Sequence, residues 1–167
     1  MAQIIRYMVA DYLNTGTETV PEWSLCGTGF NSLDENPNAQ VDSKTYISDK
    51  AVTKNIIGYE TVFPFDIDTF NEQEAIMAIY NIARNQKTGN DAVLEYVRTD
   101  FTVDESGVPL TTDVPARKFM VAVEVSEFSG GGGEALKITG NLNGVGDFVD
   151  GTFDLINRVF TPSTPAT

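Results

Sequence analysis

The chain has 167 residues, of which 41% are hydrophobic and 10% aromatic, a composition typical of one folded domain and not of a disordered segment. It carries 24 acidic and 11 basic residues, and the formal net charge of -13 disfavours binding to nucleic-acid phosphates or to an anionic membrane. Histidine is absent and Cys26 is the single cysteine, which excludes an internal disulfide, His-dependent triads and imidazole metal sites.

The first 65 residues read as short strands joined by polar connections. Residues 4–10 form a short apolar run, interrupted by Arg6 and followed by Asp11, that we interpret as the first strand. No window of the sequence approaches the roughly 20 apolar residues of a membrane span. Residues 27–42 are dense in turn formers and predict little regular structure. The other predicted strands of this half are residues 23–25, 46–48 and 55–65.

One helix is predicted after these strands. Asn71 and Glu74 have the spacing of a capping box, and Gly89 is expected to end the helix. The apolar residues between them fall on one face at helical spacing, which predicts packing against a sheet; these are Ala75, Ile76, Ile79, Ile82 and Ala83.

The second half predicts four further strands. Residues 130–133 are four glycines and predict a flexible hairpin tip, residues 144–151 predict a turn, and residues 161–167 predict a mobile tail. The predicted fold is therefore mainly β with one helix, in two packed antiparallel sheets that form a sandwich or a half-open barrel over residues 1–160. The four strands are residues 92–103, 117–128, 135–142 and 151–160.

The sequence offers little chemistry. Asp147, Asp150 and Asp154 lack the spacing of a calcium loop. Asp66 and Asp68 would point to the same side of an extended chain, an arrangement that could hold a divalent cation or act as an acid–base pair. A favourable position near the helix N-terminus is the simpler interpretation. We therefore expect a protein that is not an enzyme and holds no cofactor or metal.

Residues 43–65 combine three lysines with β-branched and aromatic residues, in a chain that is otherwise acidic. Strand edges expose unpaired backbone groups, which are either protected by charge or used to bind another chain. The residues alone leave both possibilities open.

Four blocks of the sequence, taken in order, resemble the major tail (tail tube) proteins of long-tailed bacteriophages of Gram-positive hosts. The resemblance runs from about Trp23 to Phe160. Its most specific part begins with Asn36 and Pro37. These lead to Lys44, Tyr46, Ile47, Asp49 and Lys50, with Gly58 and Tyr59 behind. The blocks are "GTGFNSLDENPNAQVDSKTYISDKAVTKNIIGYETVFPF", "TGNDAVLEYVRTDF", "ARKFMVAVEVSEF" and "ITGNLNGVGDFVDGTFD".

The resemblance implies a tail-tube-like fold whose subunits join into hexameric rings, and rings that stack into a tube through which the genome leaves the virion. It implies assembly in the host cytoplasm, and contact with a tape-measure protein and a tail terminator. Residues 33–54 would reach neighbouring copies. The predicted contact residues are Asp42, Lys44, Tyr46, Ile47, Asp49, Lys50 and Lys54.

An acidic bore would repel DNA phosphates and let the genome pass without sticking. We predict that Glu60, Glu124 and Asp154, on the less apolar faces of their strands, line it. The alternatives are a connector or terminator that stops at one ring, an enzyme that uses Asp66 and Asp68, and a monomeric carbohydrate-binding β-sandwich.

Overall fold

The computed structural model describes residues 3–163. Seven strands follow one another across an antiparallel sheet in the order β2-β1-β7-β8-β9-β6-β3, and β10 adds to β9 as an eighth strand. The sheet curls into a half-barrel, and β4 pairs with β5 in a separate two-stranded sheet. The strands are β1 Asp11–Asn14, β2 Trp23–Leu25, β3 Phe30–Leu33, β4 Ala39–Lys44, β5 Thr53–Tyr59, β6 Val62–Asp68, β7 Val93–Thr99, β8 Val114–Ser129, β9 Lys137–Asp154 and β10 Val159–Pro162.

The predicted fold class is confirmed, in its half-open-barrel form. The α-helix α1, Glu74–Arg84, buries one apolar stripe against the sheet, as predicted. Alternate residues of β6, β7 and β8 lie in the same buried cluster as this helix and complete the main core, because successive strand residues face opposite sides of a sheet. The largest of these buried side chains are Phe63, Phe65, Ile67, Tyr96 and Phe119.

A second, smaller core lies where β1, β7 and β8 are covered on their other face. The ring centroids of Tyr12 and Phe153 are 4.5 Å apart. Those of Trp23 and Phe153 are 6.2 Å apart, with the two rings nearly perpendicular. Val97 and Ala116 complete the cluster. The sheet is thus buried on both faces here, which fixes the position of β1 although it has only four residues.

Several predictions for the first half are wrong. Residues 4–10 contain a short 3₁₀ helix, Arg6–Met8, in place of a strand, since the Arg6 guanidinium donates to the carbonyl of Val9 at 2.9 Å and turns the chain. Residues 27–42 hold β3 and the start of β4. Residues 46–48 lie in the β4–β5 turn, and residues 55–65 are divided between β5 and β6.

The helix is present, but its predicted ends are wrong. Gln73 is the N-cap and no side chain caps it. Glu74 accepts a hydrogen bond from Ser24 Oγ at 3.1 Å, so its carboxylate faces β2 and does not reach back to cap the helix. The chain leaves the helix through Gln86, whose φ of 50° is left-handed, three residues before the predicted Gly89.

The glycines of the second half act in two different ways. The four-glycine stretch connects β8 to β9 as predicted. Residues 144–151, predicted as a turn, lie inside the 18-residue strand β9. Gly146, with φ of 69°, forms a bulge, because Lys118 pairs with Val149 whereas Met120 pairs with Val145. Most of the predicted strand 135–142 therefore lies in β9, whereas the predicted strand 151–160 is divided between the end of β9, a turn at residues 155–158 and β10.

The end of the chain also differs from its prediction. β10 runs through Thr161 to Pro162, so the first residues of the predicted mobile tail continue a strand. Residues 164–167 of that tail lie outside the described residues. Proline is compatible with this position because β10 pairs only with β9, which leaves its other edge free of ladder bonds.

Candidate assembly surface

The β4–β5 hairpin, residues 39–59, is an arm whose strands, in the described part of the chain, pair only with each other. Its tip, residues 45–52, is closed by two hydrogen bonds, from Asp49 N–H to the Tyr46 carbonyl at 3.0 Å and from Tyr46 N–H to Asp49 Oδ2 at 3.2 Å. Isolated two-stranded hairpins are marginally stable at best in water. The arm therefore has the character of a segment that is completed by contact with another surface.

The arm exposes apolar side chains on both faces and at its tip. Ile47 at the tip is fully exposed, with a relative accessibility of 110%. Contiguous exposed apolar surface of this kind marks interaction sites in soluble proteins. The other large apolar residues exposed on the arm are Val41, Tyr46, Val52, Ile56, Ile57 and Tyr59.

The three lysines of the arm form no salt bridge within residues 3–163, whereas five of the eight basic residues in the body do and Arg84, Lys87 and Arg158 do not. Lys44, Lys50 and Lys54 have no carboxylate within salt-bridge distance in residues 3–163, and Lys44 Nζ lies 5.1 Å from the ring centroid of Tyr46. The arm therefore presents cationic groups without partners beside apolar surface. In the body, salt bridges engage Arg6, Arg98, Arg117, Lys118 and Lys137.

The structure brings the seven predicted contact residues together on this one element. Asp42 and Lys44 lie on β4, Lys54 lies on β5 opposite Ser43, and the remaining four lie in the tip. Tyr46, predicted in a strand, lies in the tip.

The root of the arm is held by ion pairs that sequence reasoning missed. Glu35 receives a bidentate pair from Arg117, at 3.1 and 2.7 Å, and lies 3.5 Å from Arg98 Nε. Asn36 and Val62 exchange two backbone hydrogen bonds, at 2.8 and 2.9 Å. These contacts fix where the arm leaves the sheet. Neither partner had a sequence signal, since Glu35 and Arg117 are far apart in the chain.

The same ion pairs extend into the core. Asp11, 2% exposed, accepts hydrogen bonds from Arg6 at 2.7 Å and from the Tyr96 hydroxyl, and Arg98 Nη1 lies 3.7 Å away. Burial, followed by the Asp11 charge, raises the pKa of Tyr96 well above its usual 10.0. Burial lowers the pKa of Arg98, but Tyr96, Asp11 and Glu35 outweigh it, so that this pKa is raised. Arg98 therefore stays charged and joins the core to the root of the arm.

A cleft of about 810 Å³ lies between the arm root and β9. Its apolar part contains Tyr59, Phe119 and Phe148, and the Phe119 and Phe148 ring centroids are 5.4 Å apart. Arg117 lies over both rings, at 5.1 and 5.4 Å from the Phe119 and Phe148 centroids. The Arg117 guanidinium is thus stacked on the aromatic side chains of the cleft and paired with Glu35.

The three carboxylates predicted for the bore lie apart from one another. Glu60 is exposed at the β5–β6 junction beside this cleft. Glu124, exposed on β8, accepts a hydrogen bond from Asn141 at 3.0 Å. Asp154 ends β9 and caps the turn to β10 by accepting from Ile156 N–H at 2.9 Å and Asn157 N–H at 3.1 Å. Asn157, through backbone and side chain, lowers the pKa of Asp154.

Asp66 and Asp68 do share one side of β6, as predicted. Lys137 Nζ lies 3.5 Å from Asp66 and 3.7 Å from Asp68, so an ammonium group already occupies the position that a cation would take. Asp68 ends β6 and α1 begins at Glu74, so proximity to the helix N-terminus does not explain it. Within residues 3–163, no group of three or more acidic, cysteine or histidine side chains could hold a metal ion.

No helix in the described part of the chain is both long and apolar enough to cross a membrane. No protein-family model matches the chain, and no curated protein matches it. Among solved structures, the chain is similar to one from the cryo-EM structure of the anti-feeding prophage baseplate, 6-fold symmetrised, with a TM-score of 0.52 and 9% identity. The match covers 93% of this chain and 98% of the other. The likeness therefore extends over nearly the entire fold of both chains.

Proposed function

We propose that this protein is a structural subunit of a phage-tail-like particle and that it assembles with copies of itself through the arm. The observation that carries the proposal is that the β4–β5 hairpin pairs with no other strand of residues 3–163. The hairpin also exposes apolar residues and lysines that form no salt bridge. The fold is shared with a chain of a baseplate that was resolved with six-fold symmetry, which supports a tail component.

Within that class, the tail tube is the specific role that we propose. Subunits join into hexameric rings that stack, and the rings contact a tape-measure protein and a terminator in a virion tail assembled in the host cytoplasm. Each ring would carry six times the formal charge of -13, so the contacts must gather apolar area and the few cations. The arm offers both.

The wall of such a tube would act on DNA only at short range. Salt screens charge beyond about 8 Å at physiological ionic strength, so acidic side chains would prevent adhesion at the wall without filling the channel with a field. Glu60, Glu124 and Asp154 remain our prediction for this wall. A tube reconstruction that places all three on the outer surface contradicts it.

Electron microscopy of the concentrated purified protein tests the proposal. Stacked rings are expected from the wild type. Ile47→Asp is expected to prevent stacking, because it places a charge on the exposed tip of the arm. Ile156→Asp is the matched control, since Ile156 is 68% exposed in the β9–β10 turn, away from the arm.

Other results identify the alternatives. Single rings that never stack indicate a terminator, connector or baseplate component. A protein that stays monomeric at high concentration and binds glycans indicates a carbohydrate-binding module. Equal assembly by both isoleucine variants and the wild type shows that the arm is not the contact.

A further inference from the structure

The loop between β7 and β8, residues 100–113, is entirely acidic in its charge. It contains Asp100, Asp104, Glu105 and Asp113 and no lysine or arginine. None of these carboxylates lies within salt-bridge distance of a basic group in residues 3–163. The loop is thus a negative surface without a salt-bridge partner, whereas the arm carries three lysines against Asp42 and Asp49 and has a formal charge of +1.

An apolar groove of about 790 Å³ lies against this loop. Ile4, Phe101 and Leu110 contribute its apolar surface, and Asp100, Asp104 and Glu105 lie among its lining residues. Ile4 is 40% and Phe101 54% exposed. Asp104 also accepts backbone hydrogen bonds from Ser106 at 2.8 Å and Val108 at 2.9 Å, which hold the loop in shape. The groove is therefore formed in the single chain.

The tip of the arm is the complement of this groove in both respects. It carries Ile47, fully exposed, beside Tyr46, and Lys44 and Lys50 flank them. Asp49 also lies in the tip, where its carboxylate accepts a hydrogen bond from the Tyr46 N–H at 3.2 Å. The cleft at the arm root is less acidic, since its lining has Arg117 beside three carboxylates, a formal charge of -2 against -3 for the groove. Opposite charges set against each other at a desolvated contact favour the correct partner and orientation.

The arm does not cover the groove of its own chain. Ile47 is fully exposed, so none of residues 3–163 packs on it. Seven residues of β5 separate the tip from the root, a distance of about 20 Å at roughly 3.3 Å per residue. The groove is therefore open to the arm of another molecule.

We infer that the groove beside residues 100–113 receives the arm tip of a second copy of this chain. The inference rests on the proposed self-assembly and specifies its contact. Donor and acceptor are different surfaces, so the contact is head-to-tail, and every bound copy offers a free arm or a free groove. Such contacts close into rings or continue as stacks, whereas a two-fold contact would stop at a dimer.

Cross-linking between introduced cysteines tests the contact. In a Cys26→Ala background, Ile47→Cys is combined with Ser106→Cys, an exposed residue of the loop, and treated with a short bis-maleimide. A ladder of covalent dimers, trimers and larger species is expected on a denaturing gel. The variants with a single cysteine are expected to stay largely monomeric on that gel.

The matched control combines Ile47→Cys with Asp147→Cys, which lines the cleft at the arm root. The inference is overturned if the control pair gives a ladder and the Ser106 pair does not. It is also overturned if neither pair gives a ladder although electron microscopy shows normal assemblies. The proposed function survives both outcomes. A wild type that never assembles overturns both proposals.

A charge exchange gives a second readout. Lys50→Glu and Glu105→Lys are each expected to raise the concentration needed for assembly several-fold, and the double variant is expected to recover most of that loss. Two single variants whose effects simply add in the double variant contradict direct pairing across the contact.

Discussion

Removing the hydroxyl group of Tyr96 tests whether the buried ion pairs stabilise the fold. Tyr96 is fully buried, and its hydroxyl donates to Asp11. Tyr96→Phe keeps the ring, whose centroid lies 4.8 Å from that of Phe63 and 6.2 Å from that of Phe119. The variant thus removes the hydrogen bond and leaves the aromatic packing in place.

The expected cost follows from the remaining partners of Asp11. A hydrogen bond to a charged group contributes about 1.5–3 kcal/mol. Arg6 still reaches Asp11 at 2.7 Å, so we place the loss near the middle of that range, at about 2 kcal/mol. For a chain of this size each kcal/mol lowers Tm by about 2–4 °C, which gives a decrease of about 4–8 °C.

Urea unfolding at low protein concentration measures this loss. The midpoint is expected to fall while the slope m stays constant, because the surface exposed on unfolding hardly changes. Tyr7→Phe is the control, since Tyr7 is 75% exposed and its hydroxyl group makes no hydrogen bond within residues 3–163. Equal midpoints for Tyr96→Phe and the wild type would refute the argument.

The pH dependence of the same pair of proteins gives an independent check. The pKa of Tyr96 is raised in the folded state, so its contribution to stability is fully present below the unfolded pKa of about 10 and is lost as pH rises through the folded value. The stability difference between wild type and Tyr96→Phe should therefore shrink above pH 10. A stability difference between the two proteins that grows with pH would contradict a raised pKa of Tyr96 in the folded state.

Three further predictions concern other parts of the fold. Gly140→Ala would place a Cβ against the Glu124 carbonyl oxygen at 2.0 Å, so we expect a loss of about 1–3 kcal/mol in urea unfolding, whereas Gly132→Ala, with nothing within 4 Å, should be neutral. Burial raises the pKa of the Cys26 thiol well above 9.0, so wild-type stability should begin to fall as pH rises past 9, and Cys26→Ala should remove that part of the slope. The lowered pKa of Asp154 gives a contribution to folding stability that is lost as pH falls, so Asp154→Asn should flatten the loss of stability below about pH 4. Identical stability at acid pH for the variant and the wild type would contradict the capping role.

Local patterns in the sequence were sufficient to predict the elements that are determined by their own residues. The stripe of Ala75, Ile76, Ile79 and Ile82 predicts the buried face of the helix because helical spacing places these residues together whatever they pack against. The alternation that begins at Phe119 predicts which face of β8 is buried for the same reason.

The tertiary structure decided what depends on residues distant in the chain. Residues 144–151 look like a turn, but pairing with β8 draws them into β9, and the bulge at Gly146 takes up the extra residues. The contact between Glu35 and Arg117 joins segments 82 residues apart, and no local pattern encodes such a separation. The sequence indicated a cationic, apolar segment near Ile47. Only the fold separates that segment from the curled sheet, because β4 and β5 pair with each other and with none of its strands in residues 3–163.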